Sequence, residues 1–136
     1  MSVKRPPRGV LDTSIFVALE SGRRLNQKAL PRQSAISIVT RAELRAGVLV
    51  ADDIATRNLR IATFEASRVF SVLPIDLEVD GAWAQMRAYL AAADRRVNAN
   101  DMWIAATAAA HEIPVVTQDA DFDAMNGIAG LTVIPV

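Results

Sequence analysis

Hydrophobic and polar positions fall along this chain in two kinds of block. Short apolar runs bounded by polar residues predict strands: Val10-Leu11, Ala35 to Val39, Pro114 to Thr117 and Leu131 to Ile134. Val72-Leu73-Pro74-Ile75 is a fifth such piece, but its proline limits it to an edge strand or none. Between the runs, apolar residues recur at helical spacing. They predict helices from Asp12 to about Glu20, from Thr40 onward, over 54–70 (Ile54, Leu59, Ile61, Ala62, Phe64), over 81–93, and from Asn98-Asn100-Asp101 through Met102 to His111. Another short helix is expected near the Arg23-Arg24 pair, and residues 118–123 read as a loop carrying three aspartates. Strands alternating with helices imply βαβ units, hence an α/β fold: an α/β/α sandwich around a central parallel sheet of about four to five strands.

The 136 residues suit one domain, with residues 1–8 expected to be a flexible basic tail. Hydrophobic residues at 51% and charged residues at 22% are ordinary for a globular chain. No apolar run has the length of a membrane span and the N-terminus lacks a hydrophobic signal core, so a cytoplasmic protein with no membrane partner is expected. The absence of cysteine removes disulfides, thiolate nucleophiles and cysteine-bound zinc, and a single histidine, His111, cannot form a cluster. Fifteen basic residues balance fifteen acidic ones. Thirteen of those bases are arginine, whose planar fork suits phosphate, so if several acids hold cations the remaining surface is net positive and compatible with nucleic acid.

The acids are where the chemistry gathers. Asp12 closes the first strand, Glu43 lies in the first turn after the second, Asp101 opens the helix leading to a later strand, and Asp119 with Asp121 follows that strand. Each has a local alternative. Asp12 and Asp101 could cap or begin helices, Thr40-x-x-Glu43 fits a capping box, and Asp119, Asp121 and Asp123 suit turns. Four independent caps have no reason to share one sheet edge, however. Carboxylates gathered in one cleft repel each other and lose hydration, which is tolerable chiefly when cations bind between them. Oxygen-only ligands favour magnesium (Mg2+) or manganese (Mn2+) over zinc.

Leu11-Asp12-Thr13-Ser14, Thr40-x-x-Glu43-Leu44, Asn100-Asp101-x-x-Ile104-Ala105-Ala106-Thr107-Ala108 and Val116-Thr117-x-Asp119-x-Asp121-Phe122 together resemble the four acidic motifs of PIN-domain ribonucleases, most closely the VapC-type toxins of type II toxin–antitoxin pairs. The likeness covers nearly the whole chain, in order. It implies a metal-dependent endoribonuclease with Asp12, Glu43, Asp101 and Asp119 as catalytic metal ligands and Asp121 as an additional or supporting acid. It also implies supporting roles for Thr13 or Ser14 and Thr117, and for Asn100, for which helix capping is the competing role. Products with 5′-phosphate and 3′-hydroxyl ends, a homodimer and a cognate antitoxin protein are further implications. Arg41 and Arg45 flank Glu43, and Arg95 and Arg96 precede Asp101; these four are the candidate RNA contacts. Trp103 could stack on a base, though its apolar neighbours favour a core or interface position; Trp83, Phe122 and His111 read as structural.

Two other classes compete. Receiver and dehalogenase-like phosphotransfer domains also place an aspartate after a first strand. The latter need a second acid where Ser14 stands, and the former a late lysine, whereas the only lysines are Lys4 and Lys28. The remaining alternative is a catalytically inactive PIN-like module that binds RNA or protein.

Overall fold

In a computed structural model, which describes residues 5–136, five strands form one parallel sheet: β1 (Arg8–Leu11), β2 (Gln33–Ser37), β3 (Ser71–Leu73), β4 (Val115–Thr117) and β5 (Val133–Pro135), in the order β3-β2-β1-β4-β5. Leu11 stands opposite Val116, and Val10 opposite both Val115 and Ala35. The helices are α1 (Thr13–Glu20), α2 (Ile38–Leu49), α3 (Ile54–Ser67), α4 (Leu77–Ala92) and α5 (Ala99–Ala110).

Strand side chains point alternately to the two faces of the sheet, and the core divides accordingly. Val10 and Val115 pack with α4 and α5 through Val79, Met86, Leu90, Ile104 and Ala108. Their neighbours Leu11 and Val116, with Ile36, pack with Ile15 and Phe16 of α1 and with Phe70 on the opposite face. A strand buried on both faces must be apolar at every position, which is why Val10-Leu11 and Val115-Val116 are unbroken apolar pairs. Four alanines of α5 (Ala105, Ala106, Ala108, Ala109) are buried, and their small side chains let this helix lie close to its neighbours. Gly9 serves a similar end in β1, since a Cβ there would meet Pro31 at 3.1 Å and Val116 at 3.2 Å.

Local details depart from the sequence-based expectations. The second strand ends at Ser37, whose hydroxyl accepts the Val39 N–H 3.0 Å away, so Ile38 and Val39 open α2 instead of ending β2. Ser37 is therefore the N-cap, and the capping box that Thr40-x-x-Glu43 offered as an alternative does not form. α4 begins four residues before Gly81, capped by Asp76, whose carboxylate accepts the Val79 N–H at 3.0 Å. Asn98, not Asn100, caps α5. The short helix sought at Arg23-Arg24 is a 3-10 turn over Gln27–Ala29, and the 118–123 loop winds into 3-10 turns over Ala120–Met125. Met1 to Lys4 of the expected tail lie outside the described residues, but Arg8 is in β1. Pro6 and Pro7 present carbonyls to the N–H groups of Arg32 and Gln33, both at 3.0 Å, so this stretch runs along the sheet.

The α3 stripe does not become core: Ile54, Leu59 and Ile61 are exposed, and Ser67 is the buried residue of that helix. Among the described residues no helix is long and apolar enough to cross a membrane. Ile104, fully buried between sheet and α4, sets the scale of core packing. Ile104→Ala is expected to lower stability by about 2–5 kcal/mol in urea titrations monitored by circular dichroism.

Candidate active site

After β1 the chain turns to β2 and then to β3 on one side, while β4 and β5 lie on the other. The junction between β1 and β4 is thus the topological switch point, where open α/β sheets leave a crevice beyond the carboxyl ends of their strands. Asp12 follows β1 there and Asp119 follows β4. The Asp12 N–H still donates to the Val116 carbonyl at 3.0 Å, which continues the ladder and sets Asp12 against Thr117.

Asp12 is only 2% exposed, and its carboxylate is held from three directions. The Ser14 N–H donates to Oδ1, as befits the N-cap of α1; the Ser14 hydroxyl donates to Oδ2 at 3.0 Å, and the Thr117 hydroxyl donates to the same oxygen. Those hydroxyls are locked in turn. Ser14 Oγ accepts the Gln118 N–H at 2.9 Å, and Thr117 Oγ1 accepts the Asp119 N–H at 2.8 Å. One hydrogen-bonded patch therefore ties the start of α1 to the loop after β4. Burial pushes the Asp12 pKa up against the lowering effect of these donors.

Glu43 reaches the site from α2. Its Oε1 accepts the Thr13 hydroxyl at 2.7 Å, and Thr13 Oγ1 lies 3.0 Å from that of the fully buried Thr40. α5 supplies Asp101 from its first turn. Carboxylate oxygens of Asp101, Asp119 and Asp121 lie within 4.8 Å of one another, and the Asp121 N–H donates to Asp119 Oδ1 at 2.9 Å. Asp101 carries the electrostatic record of the whole group. Burial, then the charges of Asp119, Asp12, Glu43 and Asp121 in that order, raise its pKa to about 7. Among the described residues the one ion pair is the surface Arg68–Glu65, so no arginine or lysine is paired with this cluster. Close carboxylates of mixed exposure, firmly oriented and without a basic partner, suit a hard divalent cation with oxygen ligands.

A family model for the PIN domain matches residues 9–128, a span that contains every acid of this site. This chain belongs to the PIN-domain family. It is 47% identical over 131 residues to ribonuclease VapC5 of Mycobacterium tuberculosis, covering 96% of this chain and 97% of the relative. It is 40% identical over 126 residues to ribonuclease VapC4 of the same organism, covering 93% and 97%. Among solved structures it matches a VapBC-5 chain from M. tuberculosis, of the VapBC family of toxin–antitoxin systems, with a TM-score of 0.90 and 44% identity over 96% of this chain and 100% of that one. FitAcB from Neisseria gonorrhoeae follows, with a TM-score of 0.70 and 30% identity over 92% and 95%.

In this PIN domain the five sequence-predicted acids converge, but unequally. Asp101, Asp119 and Asp121 form the tight group, Asp12 sits beneath it in the hydroxyl patch, and Glu43 stands on the α2 side with Thr13. Thr13, Ser14 and Thr117 all contact an acid, whereas the Asn100 side chain is exposed and bonds to none of them among the described residues. Arg41 lies over the Phe64 ring, 5.1 Å from its centroid, as part of the α2–α3 contact; Arg45, Arg95 and Arg96 are exposed. Trp103 is half-buried and stacked on Trp83, Phe122 is core, and His111 ends α5. Sequence reasoning missed the Gln118 N–H that anchors Ser14, because a backbone donor leaves no residue signature. It also gave Thr40 a capping role that Ser37 fills.

The Asp101 shift has a stability consequence. In cation-free protein the folded state holds this proton up to about pH 7, while the unfolded chain releases it near pH 4. The stability this group contributes is full below about pH 4 and falls as pH rises through 7. Asp101→Asn, which cannot ionise, is expected to unfold at higher urea concentration than the parent at pH 8 in EDTA, with the gap closing toward pH 4. A gap independent of pH would contradict the shift.

Proposed function

We propose that this PIN-domain chain is a metal-dependent endoribonuclease, using magnesium or manganese, and the toxin of a toxin–antitoxin pair acting in the cytoplasm. The observation that carries the reading is the unneutralised carboxylate group at the β1–β4 switch point, centred on Asp101, in a chain whose relatives are ribonucleases over nearly their full length. Bound there, a cation would lower the pKa of water and offset charge on the reacting phosphodiester. In this reading Asp12, Glu43, Asp101 and Asp119 are its ligands, with Asp121 assisting.

The residues around them do the positioning. Thr13 orients Glu43, while Ser14 and Thr117 fix Asp12 so that the carboxylates keep their directions when the cation and substrate arrive. Water supplies the nucleophile, so attack needs no 2′-hydroxyl, and RNA preference rests on shape and contacts. Nearby arginines, Arg41, Arg45, Arg95 and Arg96, are the candidate phosphate contacts. The antitoxin partner is supported by the match to a chain of the VapBC family of toxin–antitoxin systems and by one surface. Exposed Leu19 and Leu59 flank an apolar groove between α1 and α3 that Phe16 and Phe70 floor, a patch of the kind that protein partners cover.

Cleavage of cellular RNA by the purified chain is expected to need added magnesium or manganese and to be lost in Asp12→Asn and Asp101→Asn proteins. Cleavage unchanged in both would refute the enzyme reading, and RNA binding without cleavage in the parent would favour the inactive module. Thr13→Val, which leaves Glu43 unoriented, is expected to lower activity or metal affinity by about 10–100-fold, read from initial rates across a metal titration.

A further inference from the structure

Beside the first turn of α5, lined by none of the acids, lies a pocket of about 350 Å3 between α4 and α5. Trp83, Arg87 and Leu90 line it from α4, Arg95 and Arg96 from the connecting loop, and Met102 from α5. Every polar side chain on its walls is a hydrogen-bond donor: three guanidiniums and one indole, with no carboxylate, amide or hydroxyl. Among the described residues, none of the three guanidiniums forms an ion pair or a side-chain hydrogen bond with the protein. The Trp83 Nε1–H also lacks an acceptor, but it is out of solvent and so is closed to a guest in the pocket. Its ring is held by stacking on Trp103, at 4.9 Å between centroids and 17° between planes, so it cannot turn outward without breaking that contact.

Three exposed, unpaired cations gathered at one pocket repel one another. That repulsion is relieved by an anion rich in acceptor oxygens. Guanidinium forks match phosphate in geometry as well as charge. The pocket's wall includes Ala99 and Met102, the α5 residues that bracket Asp101 within one helical turn, about 5.4 Å of rise. A strand crossing this first turn of α5 would pass both Asp101 and the pocket.

We propose that the Arg87–Arg95–Arg96 pocket is a phosphate subsite for the RNA strand flanking the scissile bond, with Arg87 as a substrate-positioning residue and Trp83 as part of its wall. The inference rests on the ribonuclease reading for its substrate and on the pocket's donor-only lining for its chemistry.

The chain's two tryptophans are the stacked pair, so intrinsic fluorescence reports on this pocket. Titration of the full chain in EDTA with a short unstructured RNA oligonucleotide is expected to shift that fluorescence, with inorganic phosphate as a parallel arm. RNA acting at much lower concentration than phosphate identifies the polynucleotide as the ligand; equal potency would make this a free-phosphate site and overturn the proposal. The Arg87→Gln/Arg95→Gln double variant is expected to bind RNA with a log–log salt slope shallower by about one to two. It should cleave RNA with KM raised about tenfold at nearly unchanged kcat, and Arg87→Lys/Arg95→Lys should recover the slope. Unfolding midpoints in urea verify that both variants are folded. Unchanged slope and KM in the Gln variant would overturn the proposal, as would fluorescence that ignores RNA and follows protein concentration, which would mark an interface between copies. Failure of the ribonuclease reading is distinguishable: the parent would not cleave at all, while the titration in EDTA would still report on the pocket.

Discussion

Everything at this site depends on keeping mutually repelling carboxylates close together. Asp12 bears the heaviest desolvation, at 2% exposure, and it is tolerated because the Ser14 N–H and the Ser14 and Thr117 hydroxyls all donate to it. The bonds that steady Asp12 also steady the fold. Ser14 and Thr117 accept N–H groups from Gln118 and Asp119, so the start of α1 and the end of β4 are stapled across the sheet's switch point. Above this base Asp101 is left without a counter-charge, and burial first, then the neighbouring acids, raise its pKa to about 7.

The same residue can hence be a helix cap and part of the site. Asp12 caps α1 through the Ser14 N–H, and Asp119 caps the following 3-10 turns through the Asp121 N–H. The two roles share a cause: a strand that ends and turns into a helix exposes N–H groups at the carboxyl edge of the sheet, and a carboxylate that satisfies them is thereby placed at the edge where the crevice opens. Capping and ligation are competing explanations only while the sequence is read one segment at a time.

Where the sequence misled, the reason is local. Thr40-x-x-Glu43 has the pattern of a capping box, but β2 ends three residues earlier, at a serine that caps first. Thr40 then falls inside α2 with its hydroxyl beside Thr13, and Glu43, freed of a backbone partner, accepts the Thr13 proton. Asn98 likewise took the capping role that Asn100 suggested. The helical stripe of α3 was legible, yet Ile54, Leu59 and Ile61 stayed exposed, since periodicity states which residues share a face but not what covers it.

The chain's own pattern determined the alternation of strands and helices, the double-faced burial of Val10-Leu11 and Val115-Val116, and the fact that acids follow strand ends, because each follows from the period of the backbone and the polarity of the next few residues. Tertiary structure alone decided which acids stand within 4.8 Å of one another, that Glu43 stands with Thr13, and that Arg87 and Trp83 of α4 share a pocket with Arg95 and Arg96. Strand order and helix docking set distances between segments many residues apart, and no local period encodes them.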